Sequence, residues 1–186
     1  MFEKKKLMKH LRTTLQVFLA AVFLFSAYTK AIAPGFFEIL LEQQGIVPNR
    51  LYGAWATRAI IALETWLAIG FLLPFYTKLL LRISFGLLLV FSLHLVYLIA
   101  IGNTDNCGCF GEMISMSPLE SLAKNLVLIV VNGFLLRYRY RDSKPSWFTW
   151  ALLPILFAAA VFIWPVSTKM DEVVAKFPQF EKSSSI

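Results

Sequence analysis

The sequence predicts an all-α membrane protein: a four-helix transmembrane bundle followed by an additional C-terminal transmembrane helix. Three observations predict it. Five stretches, 14–33, 53–75, 79–101, 119–138 and 147–166, are long and apolar enough to cross a bilayer, which takes about 20 residues of helix. Only 16% of the chain is charged and 58% is hydrophobic, whereas soluble domains are about a quarter charged. The net charge of +7 falls in short basic runs between apolar spans, not along one polar face, which excludes nucleic acid as the partner and points to the lipid bilayer.

The elements follow in order. Residues 1–13 form a basic N-terminus carrying Lys4, Lys5, Lys6, Lys9 and Arg12. They resemble the start of a signal peptide, but no clean small-residue cleavage site follows, so the first span is expected to be retained. Between the first two spans, Phe36, Phe37, Ile39, Leu40 and Leu41 stand beside Glu38, Glu42 and Gln43, which predicts a short amphipathic segment lying in the interface. Residues 14–138 hold the four-helix domain, 147–166 the fifth helix and 167–186 a polar tail.

Loop charges orient these spans. One side collects eleven basic residues: the five N-terminal ones, Lys78, Arg82, Arg137, Arg139, Arg141 and Lys144. The other collects five: Lys30, Arg50, Lys169, Lys176 and Lys182. The positive side faces the cytoplasm. The expected topology is therefore that of a bacterial inner-membrane protein with a cytoplasmic N-terminus, a periplasmic C-terminus and a periplasmic loop over 102–118.

That loop holds both cysteines, as Cys107-Gly108-Cys109. In a bacterium it lies on the oxidising side, where a disulfide persists. Two cysteines at i and i+2 bond only if the backbone turns sharply, since an extended pair lies near the limit of about 7 Å between Cα atoms. Gly108 allows the turn. So small a ring is strained and easily reduced, which suits a redox pair. Inert loop thiols, a local structural disulfide or half of a metal site remain open on spacing alone. His94, Asp105 or Glu112 would have to complete a zinc set, and no second cysteine pair exists.

Ionisable groups inside membrane spans are expensive and mark function. Arg58 and Lys124 fall about 8 Å in from the outer ends of the second and fourth spans, and His94 about 10 Å in from that of the third. Lys30 lies near the outer end of the first span, free either to turn inward or to snorkel to the headgroups. Glu64 is near the midplane. Arg58 and Glu64, six residues apart, do not share a helix face and need partners elsewhere. Lys124 has Glu120 at i−4 as a candidate partner. Asn125 and Asn132 share a face, as interhelical hydrogen-bonding groups do. Such a cationic surround lowers a thiol's pKa, or holds a quinone carbonyl or a sulfur anion.

The first span ends Phe25-Ser26-Ala27-Tyr28-Thr29-Lys30-Ala31-Ile32-Ala33-Pro34, and the second carries Ala62-Leu63-Glu64 and Gly70. The loop reads Asn106-Cys107-Gly108-Cys109-Phe110-Gly111, and Lys124-Asn125 opens the fourth span. With these residues the chain resembles the MauE/DoxX family of redox-associated membrane proteins over about 15–136. The resemblance implies a four-helix core distantly similar to vitamin K epoxide reductase, and disulfide chemistry outside the cytoplasm. MauE is linked to maturation of methylamine dehydrogenase, and DoxX relatives to thiosulfate–quinone chemistry. Ala33 departs from the acidic residue many relatives place before the proline.

The leading expectation is an integral inner-membrane thiol–disulfide redox protein. Cys107 and Cys109 would be its catalytic pair, with Lys30, Arg58, Glu64, His94, Lys124 and Asn125 binding the substrate or quinone or tuning thiol pKa. No covalently bound cofactor is expected, and quinone is the candidate diffusible one. Partners would be a separate periplasmic thioredoxin-like protein or subunits of a membrane complex. The alternatives are a non-catalytic scaffold subunit and a transporter of a small anion or sulfur compound.

Overall fold

The computed structural model describes residues 2–73, 77–102 and 116–137. The fifth span at 147–166, the tail at 167–186 and the loop bearing Cys107 and Cys109 lie outside the described residues. Among the described residues there are five helices and no strand: α1 (Phe2–Ile32), α2 (Pro34–Gln43), α3 (Arg50–Leu72), α4 (Thr77–Ala100) and α5 (Pro118–Leu136). All except α2 are long and apolar enough to cross a membrane. The chain is a multi-pass membrane protein.

The helix ends have local causes. No Gly or Pro interrupts Phe2–Ile32, so α1 runs 31 residues and takes in the basic N-terminus expected to precede it. At about 1.5 Å per residue it is longer than a hydrocarbon core of about 30 Å. It stops before Pro34, whose ring disfavours helical geometry at Ala33 (φ −130°, ψ 64°). The same proline opens α2 at a position where its missing N–H costs nothing. Gly45, at φ 70°, ends α2: its N–H donates to the Glu42 carbonyl, and that of Ile46 to the Leu41 carbonyl. These are the two bonds of a Schellman stop, which favours glycine. The Asn49 side chain accepts from the Tyr52 N–H and starts α3. Ser117 and Glu120 close a reciprocal capping box around the start of α5.

Helix α1 packs along α3 and α4 along α5; the two pairs meet through α3–α4 and α1–α5. The shared core includes Leu19, Phe23, Leu67, Phe71, Leu80, Leu88, Leu128 and Leu135, with Phe23 and Phe71 ring centroids 6.1 Å apart. Outward-facing Leu24, Val90, Leu93, Val96, Val127 and Val130 are exposed, as lipid-facing residues are. Helix α2 lies on α3. It fits because residue 53 is glycine: a Cβ there would sit 3.2 Å from the Glu38 carbonyl oxygen. The expected interfacial segment is thus a packed helix, and its buried face includes Glu38 with Phe37 and Leu41. The amphipathic reading placed Glu38 among the polar residues, but the close seat on α3 turns it inward.

Candidate functional site

Ser26 and Lys30 are four residues apart on α1 and share one face. That face meets Glu64 of α3. The Lys30 Nζ donates to Glu64 Oε1 at 3.0 Å, to Glu64 Oε2 at 3.1 Å and to Ser26 Oγ at 2.6 Å. The Ser26 hydroxyl donates onward to Glu64 Oε1 at 3.1 Å. Lys30 is 2% exposed and Glu64 4%, so this is a buried ion pair with a hydroxyl bridge. An ammonium group has three N–H donors. All three have acceptors within the cluster, and its charges cancel.

The cluster forms one wall of a cavity inside the bundle. Helices α4 and α5 contribute His94, Lys124 and Asn125. His94 stands six residues before the end of α4 and Lys124 six after the start of α5, so each lies about 9 Å in from the same end of the bundle. His94 Nε2 is 2.7 Å from Gln44 Oε1, tying α4 to the end of α2. Phe23, Phe37, Leu41, Leu88, Phe91 and Leu128 are among the apolar walls, and Lys30 Nζ lies 5.5 Å from the Phe37 ring centroid. The enclosed volume is about 60 Å³, room for a few waters or a small head group.

The chain between α4 and α5 carries Cys107 and Cys109, and it joins the two helices at the end where His94 and Lys124 stand. Among the described residues, no three His, Cys, Asp or Glu side chains come together as metal ligands.

The sequence has relatives. The family described as "Methylamine utilisation protein MauE" matches residues 8–138, which hold every cavity-lining side chain. The chain belongs to the MauE family. It is also similar to Protein TlpB of Flavobacterium psychrophilum, 35% identical over 140 residues that cover 70% of this chain and 36% of that protein. The match therefore spans about a third of that relative's length. No solved structure matches.

Of the residues singled out in this MauE-family sequence, Lys30, Glu64, His94, Lys124 and Asn125 line one cavity. Lys30 turns inward instead of snorkelling. The Glu120 carboxylate accepts from the Ser117 backbone and hydroxyl. Arg58 does not line the cavity; it is half-buried, its guanidinium 5.3 Å from the Trp55 ring centroid. Six residues of helix rotate it by about 600° from Glu64, which sends it to a different face. Its charge acts instead on Glu38. Burial pushes the Glu38 carboxyl above its ordinary value of 4.5, and Arg50 and Arg58 pull it part of the way back.

Sequence reasoning passed over Ser26 and Gln44. Ser26 carried a signal, its i+4 relation to Lys30. Gln44 carried none, because its partner lies 50 residues away on another helix.

Proposed function

We propose that this protein is an integral inner-membrane thiol–disulfide redox protein. Its Cys107–Cys109 pair exchanges electrons with a periplasmic thioredoxin-like protein on one side and with quinone in the bundle cavity on the other. In this reading the N-terminus is cytoplasmic and the cysteine loop periplasmic, in line with the eleven-to-five split of basic residues. A DoxX kinship belongs to the same proposal. One observation carries it: an apolar cavity with a self-compensated buried ion pair, Lys30 with Glu64, on one wall and His94, Lys124 and Asn125 on the other. A ligand for such a site is largely apolar, with polar atoms at opposite edges. Quinone fits that description, with one carbonyl toward the Ser26–Lys30–Glu64 wall and the other toward His94 and Asn125. Lys30 has committed its N–H groups to Ser26 and Glu64, which makes that wall a poor anchor for a small anion.

Bound there, quinone would supply a two-electron acceptor. The protein's residues would orient it and exclude bulk water. A thiolate of the reduced partner attacks the Cys107–Cys109 disulfide, and the partner's second thiol resolves the mixed disulfide. That leaves Cys107 and Cys109 as the two thiols that give their electrons to quinone.

The test uses purified protein in nanodiscs with a short-chain quinone. Adding a reduced thioredoxin-like protein should bleach the quinone absorbance, and the Cys107→Ser, Cys109→Ser double variant should not. Full quinone reduction by the double variant would leave the scaffold reading in its place. In reduced spheroplasts, an impermeant thiol reagent should label Cys107 or Cys109 but not Ser143→Cys; the reverse pattern would invert the topology.

A further inference from the structure

A buried ion pair needs a reason. Removing a carboxylate and an ammonium from water costs several kcal/mol each, and well-packed apolar residues in their place are often at least as stable. In a bilayer interior such groups are rarer still. Stability alone does not explain why Lys30 and Glu64 stand together on the wall of a cavity.

Their arrangement supplies a chemical reason. Lys30 donates to Ser26 and to Glu64, and Ser26 donates to Glu64, so three protonatable groups touch one another. A proton moves among them without carrying net charge through a low-dielectric interior, where an isolated charge is costly. The ammonium protons are already engaged, so the cluster is a poor fixed anchor for an anion. It is well suited to release one proton and take one back.

We infer that the Ser26–Lys30–Glu64 cluster is the proton-exchange group of the cavity, delivering a proton to one oxygen of a quinone as that oxygen gains electrons. This rests on the redox reading above. The balance closes. Two thiols forming an S–S bond release two electrons and two protons, and two carbonyls becoming hydroxyls take up two of each. Lys30 delivers the proton on its wall to the oxygen that has gained electrons, and the Glu64 carboxylate stands beside a neutral amine until a thiol proton returns. The second proton enters on the opposite wall, where His94 stands. The two protons released by the thiols refill both positions.

The experiment uses the full chain in nanodiscs, with menadione as the soluble quinone and dithiothreitol as the reductant. Three quantities are read: menadione-induced thermal stabilisation, the redox-induced infrared band of the perturbed carboxylate stretch, and the rate of quinol formation against pH. Wild type should bind, show the band and turn over. Glu64→Gln should bind menadione as wild type does, lose the band, and form quinol about a hundredfold more slowly, the lower range for loss of a proton-transfer group. The deficit should grow as pH rises and bulk protons become scarce.

If wild type neither binds nor reduces menadione, the redox reading falls and this inference with it. If wild type does both and Glu64→Gln keeps its band, rate and pH profile, only the proton-exchange role falls. A purely structural cluster predicts lower thermal stability with an unmoved band and pH profile, which would also overturn it. Should Glu64→Gln fail to fold, Ser26→Ala keeps both charges and carries the test. A slower rate with a shifted band supports the inference, and an unchanged rate and band overturn it.

Discussion

Helices α1 and α3 solve the problem of polar side chains in a bilayer differently from α4 and α5. The first pair is the more enclosed: 44% of the apolar stretch of each is buried, against 28% for α4 and α5. It buries small residues, Ala20, Ala27, Ala54, Ala62 and Ala68, and places full charges, Lys30 and Glu64, against each other. The second pair joins through neutral groups, the Asn132 Nδ2 donating to Ser84 Oγ at 2.5 Å. Asn132 Oδ1 has no partner among the described residues. Charge is tolerated where the seam is tight, and amide and hydroxyl groups hold the looser one. The enclosed pair carries the site's ion pair, because a mismatched charge there costs enough to keep its geometry fixed.

The largest effect expected from that contrast comes from breaking the ion pair. Glu64→Leu alone strands the Lys30 ammonium and should cost about 3–5 kcal/mol, while the Lys30→Met, Glu64→Leu double variant should recover most of it. Unfolding in mixed detergent micelles measures both. A double variant no more stable than the single one would mean that the charges act independently, and the comparison would break.

A smaller effect is expected across α4 and α5. Ser84→Ala leaves the buried Asn132 amide without its acceptor and should cost about 0.6–1.7 kcal/mol, the range for interhelical hydrogen bonds in membranes. A loss as large as that for Glu64→Leu would erase the distinction between the two seams.

The smallest effect concerns Glu38, which lies beside the first pair but outside the spans. Its folded value is raised, so the fold favours the neutral carboxyl. The stability linked to it is present below the ordinary value of 4.5 and is lost as pH rises through the raised one. Glu38→Gln, fixed neutral, should therefore gain on wild type as pH rises from about 4 to 8. Arg58→Gln should deepen the wild-type loss by removing a counter-charge. Melting curves of the solubilised protein over that range check it, and parallel curves for wild type and Glu38→Gln would place the carboxyl in water.

The spans at 53–75, 79–101 and 119–138 lie within three residues of α3, α4 and α5 at either end, because apolar runs bounded by Asn, Ser, Pro and Gly state their own limits. The start of α1 was less legible: basic residues mark where hydrocarbon ends, and helix continues past that point to Phe2. Lys30 was undecided between cavity and headgroups, since its four-carbon stem reaches either. Glu64 needed a partner, and nothing local names a lysine 34 residues earlier. Glu38 was hidden by the amphipathic pattern itself, which cannot say how closely the next helix approaches.

By itself, the sequence determined that this is a membrane protein, how many described helices cross, and where most of them stop. Each of those follows from hydrogen bonds and burial within a single segment, which lipid makes obligatory. Only the tertiary structure decided that Lys30 meets Glu64, that Gln44 meets His94, that Arg58 turns away, and that a cavity opens between the two helix pairs. Apolar surface gains nothing by leaving one hydrocarbon neighbour for another, so association within a bilayer is set by the fit of side chains and the few polar contacts between them. Those are properties of pairs of helices, and no single span contains them.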